Sequence, residues 1–142
     1  MVGTRFSGGL AGKGRLLTTA DGGVNIALAR GPWTGFSGQD LREHPVTMTI
    51  NGEQRGAGTG SRALGGPLNV LLWLVNHQSG RGKGLKAGEI ASTGACTGLD
   101  SVHPGDVARA DFGTLGTVEV EFRLQEYLDD VVDPLSARKS EP

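Results

Sequence analysis

The sequence predicts an α+β fold, mostly β, with a curved mixed or antiparallel sheet and one buried helix. Three observations carry that expectation. Short segments with period-two alternation recur along the chain, most clearly Val46-Thr47-Met48-Thr49-Ile50. Glycine accounts for 25 of the 142 residues, more than twice the usual share, and is scattered rather than periodic. Such a distribution suits many tight turns between short strands. One long run, Pro67 to about Ser79, repeats apolar residues at helical spacing instead.

Taken in order, Met1 to Arg15 contains five glycines and little apolar periodicity, so 1–15 reads as an irregular opening segment. Val24-Asn25-Ile26-Ala27-Leu28-Ala29 alternates apolar with small or polar residues, a short strand ended by Gly31-Pro32. Val46 to Ile50 is the clearer strand. Asn51-Gly52 after it readily supplies the positive φ angles of a type I′ hairpin turn. Glu53 to Thr59 then returns as the partner strand, loosened by Gly56 and Gly58.

Pro67 suits the first helical position, where its missing N–H has no intrahelical partner anyway. Leu68, Leu71, Leu72 and Val75 form a stripe that Val70, Trp73 and Leu74 widen, which predicts a deeply packed helix. Gly80 and Gly82 stop it. Glu89 to Ser92, Val107 to Phe112 and Thr117 to Leu124 read as further strands, the last two joined around Gly113 and Gly116. A body over 16–124 is therefore expected, with a flexible tail over 125–142 that carries Asp129, Asp130, Asp133 and Pro134.

Charge and composition narrow the function. Fourteen Lys and Arg against 15 Asp and Glu give a net charge of -1, so no basic field exists to draw a phosphate backbone. Aromatic residues make up 5% of the chain, which leaves few platforms for stacking bases. Nucleic acid is not an expected partner. The longest apolar block, Val70 to Val75, is far short of the roughly 20 residues that a bilayer span needs. No membrane association is expected. With Cys96 as the single cysteine, no intrachain disulfide is possible, and a cytoplasmic setting is expected.

Several local patterns invite a functional reading and do not sustain it. Gly56-x-Gly58-x-Gly60 lacks the spacing of a phosphate loop and does not open a helix. His44, His77 and His103 stand at no metal-ligand spacing from one another. Cys96 has no histidine near it in sequence and reads as a small packed side chain. Glu119 and Glu121 share a strand face, which is how two carboxylates grip one cation, but their place in a closing strand favours a solvent-facing pair.

The segment Ser92-Thr93-Gly94-Ala95-Cys96-Thr97-Gly98 is the stronger site candidate. A Thr-Gly turn presents a hydroxyl and exposed backbone amides, donors that hold a carboxylate without side-chain charge. The same glycines equally serve a plain strand-to-loop turn. Asp21 has two readings as well: a group that carries a proton or orients water, or a cap for backbone amides.

Order and spacing add what no single motif supplies. Leu64-Gly65-Gly66-Pro67-Leu68-Asn69 is followed by Gly84-Leu85-Lys86-Ala87-Gly88-Glu89-Ile90 and by the Thr93-Gly94 segment. His103-Pro104-Gly105-Asp106 and Leu115-Gly116-Thr117-Val118-Glu119-Val120-Glu121-Phe122 come next. This succession resembles the C-terminal part of the 2-keto-4-pentenoate hydratase and 2-oxo acid decarboxylase group of the fumarylacetoacetate hydrolase superfamily. The resemblance implies part of a β-roll fold and a hydratase (lyase) acting on small 2-oxo or 2-hydroxy-dienoic acids of aromatic-compound breakdown. It implies that Thr93 and Gly94, with Thr97 beside them, bind the substrate, and that Asp21 is catalytic through water.

In that family Mg²⁺ or Mn²⁺ chelates the substrate, held by residues upstream of this part. The chain alone is therefore expected to bind no metal. Relatives carry Ala-Asp-Asn-Ala-Ser-Ser where this chain has Ala20-Asp21-Gly22-Gly23-Val24-Asn25, so only the first two residues match. Two further functions stand beside the hydratase: a non-catalytic binding or assembly domain, and a metal-free isomerase or cyclase. Part of a β-roll leaves sheet edges open, so a homo-oligomer or a completing partner chain is expected.

Overall fold

The computed structural model describes residue 9 and residues 12–123. The expected tail over 125–142 and most of the expected irregular segment over 1–15 lie outside the described residues. The elements run α1 (Arg15–Ala20), β1 (Pro45–Ile50), β2 (Glu53–Thr59), α2 (Pro67–Ser79), β3 (Val107–Asp111) and β4 (Thr117–Glu121). The four strands form one open sheet in the order β2-β1-β3-β4, and every pairing is antiparallel. The α+β class stands, with the sheet antiparallel rather than mixed.

The hairpin joining β1 and β2 follows from its turn residues. Asn51 and Gly52 sit at φ 52° and 81°, the left-handed pair that a type I′ turn requires. Asn51 also donates from Nδ2 to Asp106 Oδ1 at 2.7 Å and accepts at Oδ1 from the Val107 N–H at 2.9 Å, which ties the turn to the start of β3. Asp106 in turn accepts from the His103 N–H at 2.7 Å, and the Asp106 N–H returns to the His103 carbonyl at 3.1 Å. His103-Pro104-Gly105-Asp106 is thus a tight turn that delivers the chain into β3. Along the hairpin the register slips between Met48 and Thr49, because Met48 faces Gly56 while Thr49 faces Gln54. Arg55 is left as the extra residue of a bulge.

Two predicted strands are absent. Val24 to Ala29 is loop, with a single bridging residue at Ala27. Glu89 to Ser92 is loop as well, since Glu89 closes a turn instead of joining a ladder. The Glu89 N–H donates to the Lys86 carbonyl at 3.1 Å, while the Lys86 N–H donates to Glu89 Oε2 at 2.8 Å. The short helix α1 escaped the period-based reading. Its Thr18 and Thr19 hydroxyls bond back to the carbonyls of Gly14 and Arg15.

The buried helix needs correction. α2 forms over the predicted residues with Pro67 in its first turn, yet none of its residues is buried. Val70, Leu71, Leu74 and Val75 are half-covered, whereas Leu72 and Trp73 remain 62% and 56% exposed. The helix makes no substantial contact with any strand. Burial is concentrated in β1, where Val46 and Ile50 are 6% and 5% exposed.

Candidate functional site

Strand pairing sorts the sheet into two faces. Val46, Met48 and Ile50 of β1 lie beside Ala108 and Ala110 of β3, which lie beside Val120 and Val118 of β4. On the β2 side the same face continues as Gly58 and Gly56, opposite Val46 and Met48. This face is apolar and nearly bare on β2. The other face carries Thr47, Thr49, Arg109, Asp111, Thr117 and Glu119.

Two loop segments cross the apolar face. One passes over β4 at Gly31, where an added Cβ would lie 3.1 Å from a Val118 methyl, and Thr34 Oγ1 then donates to the Leu115 carbonyl at 3.0 Å. The other passes over β2 on the glycines. A Cβ at Gly56 would lie 2.7 Å from the Thr97 carbonyl oxygen, and one at Gly58 would collide with the Cys96 carbonyl oxygen. A Cβ at Gly60 would strike the Leu41 carbonyl oxygen. Gly56-x-Gly58-x-Gly60 is therefore a seat for crossing backbone rather than a phosphate cradle.

Beside the Cys96–Thr97 crossing lies an open concavity of about 520 Å³. Val46 and Met48 of β1, Ala110 of β3 and Phe112 form its apolar part. Gly23, Val24 and Asn25 line it too, as do Ser92 and the residues from Gly94 to Leu99. Gly94 stands at φ 113°, a conformation that L side chains rarely adopt, and its bare Cα faces the Ala63 methyl. Val24, at φ 70°, is a β-branched residue in the left-handed region and lines the concavity too.

The predicted site residues divide. Gly94 and Thr97 line the concavity; Thr93 lies between the lining residues Ser92 and Gly94, and Asp21 lies two residues before the lining Gly23. Asp21 is 6% exposed at the end of α1, and its N–H donates to the Leu17 carbonyl at 3.0 Å. Sequence reading missed Met48, Phe112 and Asn25. The alternation of β1 already places Val46 and Met48 on one face, so that signal was present. Asn25 carried none.

The carboxylates are engaged elsewhere. Glu119 lies on the face opposite the concavity, with Arg109 3.8 Å away, and Glu121 is held by Arg123 at 2.7 Å. The Arg123 guanidinium keeps the Glu121 carboxyl below its ordinary range. Asp40 is locked to Arg42 at 2.6 Å and pushed down to about 2 by that hydrogen bond, away from the concavity. Among the described residues no three His, Cys, Asp or Glu side chains gather as a cation would require. The donors present do not fit a divalent metal at this concavity.

Residues 13–123 match the family described as fumarylacetoacetate (FAA) hydrolase C-terminal. The chain belongs to that family. A 2-keto-4-pentenoate hydratase of Paraburkholderia xenovorans (strain LB400) is 38% identical over 89 residues, covering 63% of this chain and 33% of the relative. Comamonas testosteroni has a 2-hydroxyhexa-2,4-dienoate hydratase that is 31% identical over 83 residues, 58% of this chain and 31% of that protein. Among solved structures, the 4-oxalocrotonate decarboxylase of Pseudomonas putida G7, complexed with calcium and acetate, matches with a TM-score of 0.57 at 37% identity. That match covers 59% of this chain and 32% of the decarboxylase, which has also been solved with magnesium and adipate. The chain spans about a third of the length of the curated relatives it matches. The similarity to 2-keto-4-pentenoate hydratases and a 4-oxalocrotonate decarboxylase agrees with the order of motifs in the sequence. No helix among the described residues is long and apolar enough to cross a membrane.

Proposed function

We propose that the concavity receives a small 2-oxo or 2-hydroxy-dienoic acid and that the chain forms the C-terminal part of a hydratase-type lyase site. The observation that carries this reading is the placement of Gly94 and Thr97 on the wall of an uncharged hollow with Met48, Ala110 and Phe112 beneath. A carboxylate at the wall finds backbone N–H groups and the Thr97 hydroxyl. The hydrocarbon part lies on the apolar side chains, where its burial is favourable. Thr93, between the lining residues Ser92 and Gly94, adds a hydroxyl to the same turn. Asp21 orients the water whose H and OH add across the conjugated double bond.

The 4-oxalocrotonate decarboxylase, solved with calcium and with magnesium, supports a divalent metal in the complete site. The described residues bring together no set of donors for that metal, and a completing polypeptide is proposed to supply them. A completing chain or a second copy is the proposed partner. The proposed setting is the cytoplasm, with the single cysteine as its support. A second reading, a non-catalytic assembly domain, is favoured by the exposed apolar residues of α2 and by the loss of the relatives' serines in the Gly22 to Asn25 segment.

The test is competition binding of 2-oxopentanoate and turnover of 2-hydroxypenta-2,4-dienoate in the presence of Mg²⁺. The chain is assayed alone and then with a hydratase N-terminal polypeptide added. Thr93→Val keeps the β-branched shape and removes the hydroxyl, so affinity should fall by about 1.5–3 kcal/mol, the usual worth of a hydrogen bond to a charged group. Unchanged affinity would remove Thr93 from the carboxylate. Absence of binding and turnover in both preparations would leave the assembly reading standing instead.

A further inference from the structure

We propose that Gly56 and Gly58 of β2 are positioning residues for the ligand-facing wall, an inference that rests on the proposed 2-oxo acid site. The Cys96–Thr97 backbone, which contributes to that wall, lies directly on the bare Cα atoms of these two glycines. A methyl at Gly56 would sit 2.7 Å from the Thr97 carbonyl oxygen and 2.9 Å from Thr97 Cβ. At Gly58 it would overlap the Cys96 carbonyl oxygen, and both obstacles are backbone or Cβ atoms that no rotamer change moves aside. Arg62 Nη1 donates to that same Cys96 carbonyl at 3.4 Å, and its Cδ lies 3.8 Å from where a Gly58 Cβ would be. The glycines therefore set how close the wall lies to Met48 and Ala110, and with it the width of the hollow. Neither glycine touches the ligand; Gly56 acts through Thr97 and Gly58 through Cys96.

The test uses Gly58→Ala and the milder Gly56→Ala, with Gly35→Ala as a control because a Cβ there meets nothing within 4 Å. Cys96, the only cysteine, is half-buried in the seated segment and reports on it through its rate of labelling by a thiol reagent. Expected for Gly58→Ala are labelling at least fivefold faster and 2-oxopentanoate binding at least tenfold weaker, measured with Mg²⁺ and the completing polypeptide present. Gly56→Ala should shift both in the same direction by less, and Gly35→Ala should change neither. Amide NMR shifts should move at residues 94–98 and stay put at the Asn51-Gly52 turn, which a general loss of structure would not produce. The inference is overturned if both β2 variants bind like the parent, or if the control loses binding in parallel with them. A parent that binds no 2-oxo acid would sink the functional reading and this inference together. That outcome is distinct from a parent and a Gly58→Ala variant that bind equally well.

Discussion

The sheet and α2 carry equally clear sequence signals and end in opposite surroundings. β1 alternates with period two, its turn residues fix the hairpin, and its Val46 and Ile50 become the two buried apolar side chains among the described residues. α2 repeats apolar residues at helical spacing over 13 residues and starts on Pro67, yet it leaves Leu68, Leu72 and Trp73 exposed. The difference lies in what each signal encodes. Strand alternation and the Asn51-Gly52 turn specify a partner strand as well as a conformation. A helical apolar stripe specifies a helix and a wish for cover, and says nothing about which surface provides it.

The sharpest way to break this comparison is Ile50→Ala. With 5% exposure and neighbours on both flanking strands, its truncation should cost about 2–5 kcal/mol through lost transfer energy and a residual cavity. A denaturant midpoint equal to that of the parent would mean that the sheet does not carry the stability.

Next in size is the tie between the hairpin turn and β3. Asn51→Ala should cost about 1 kcal/mol or more, because alanine tolerates the left-handed conformation at φ 52° less well than asparagine. The same change bears on pH. The His103 N–H and then the Asn51 amide hold the Asp106 carboxyl below its unperturbed value of 3.8. A depressed folded pKa stabilises the fold fully above the unfolded value and loses that contribution as pH falls through the folded value. Thermal midpoints of the parent should therefore decline as pH drops below about 4, and Asn51→Ala should decline less steeply, having already lost one donor. Parallel pH profiles would show that the tie is not charge-assisted.

The smallest expected effect is on α2. Leu72→Ala should change the stability of the chain alone by less than about 0.5 kcal/mol, as for an ordinary exposed position. A cost comparable to that of Ile50→Ala would show the helix packed in solution. A cost that appears only when a completing polypeptide is added would identify α2 as a surface that this polypeptide covers.

Legibility in the sequence followed the same division. The strands β1 to β4, the Asn51-Gly52 turn and the start of α2 at Pro67 were all readable, because each depends on residues a few positions apart. Glu89 to Ser92 failed as a strand because a ladder needs a neighbour, and its backbone closed on Lys86 instead. Gly94 and Thr97, which line the concavity, belong to the Thr-Gly segment that the sequence already singles out. The pairing of Gly56 with Thr97 was not readable, since two segments some 40 residues apart meet only once the sheet exists.

The bulge at Arg55 sets the phase of the whole hairpin. Ile50 and Glu53 face each other across the turn, so strict alternation from Glu53 would bring Arg55, Ala57 and Thr59 onto the apolar face. The extra residue inverts that parity and presents Gly56 and Gly58 there instead. A ladder that ran straight through the same residues would exchange that glycine track for the side chains of Arg55 and Ala57 under the Cys96–Thr97 crossing, whereas deleting one residue between Gly52 and Gly56 removes the bulge and keeps Gly56 and Gly58 opposite Met48 and Val46. At its full length the hairpin thus keeps its glycines under the loop only because one residue stands out of the ladder.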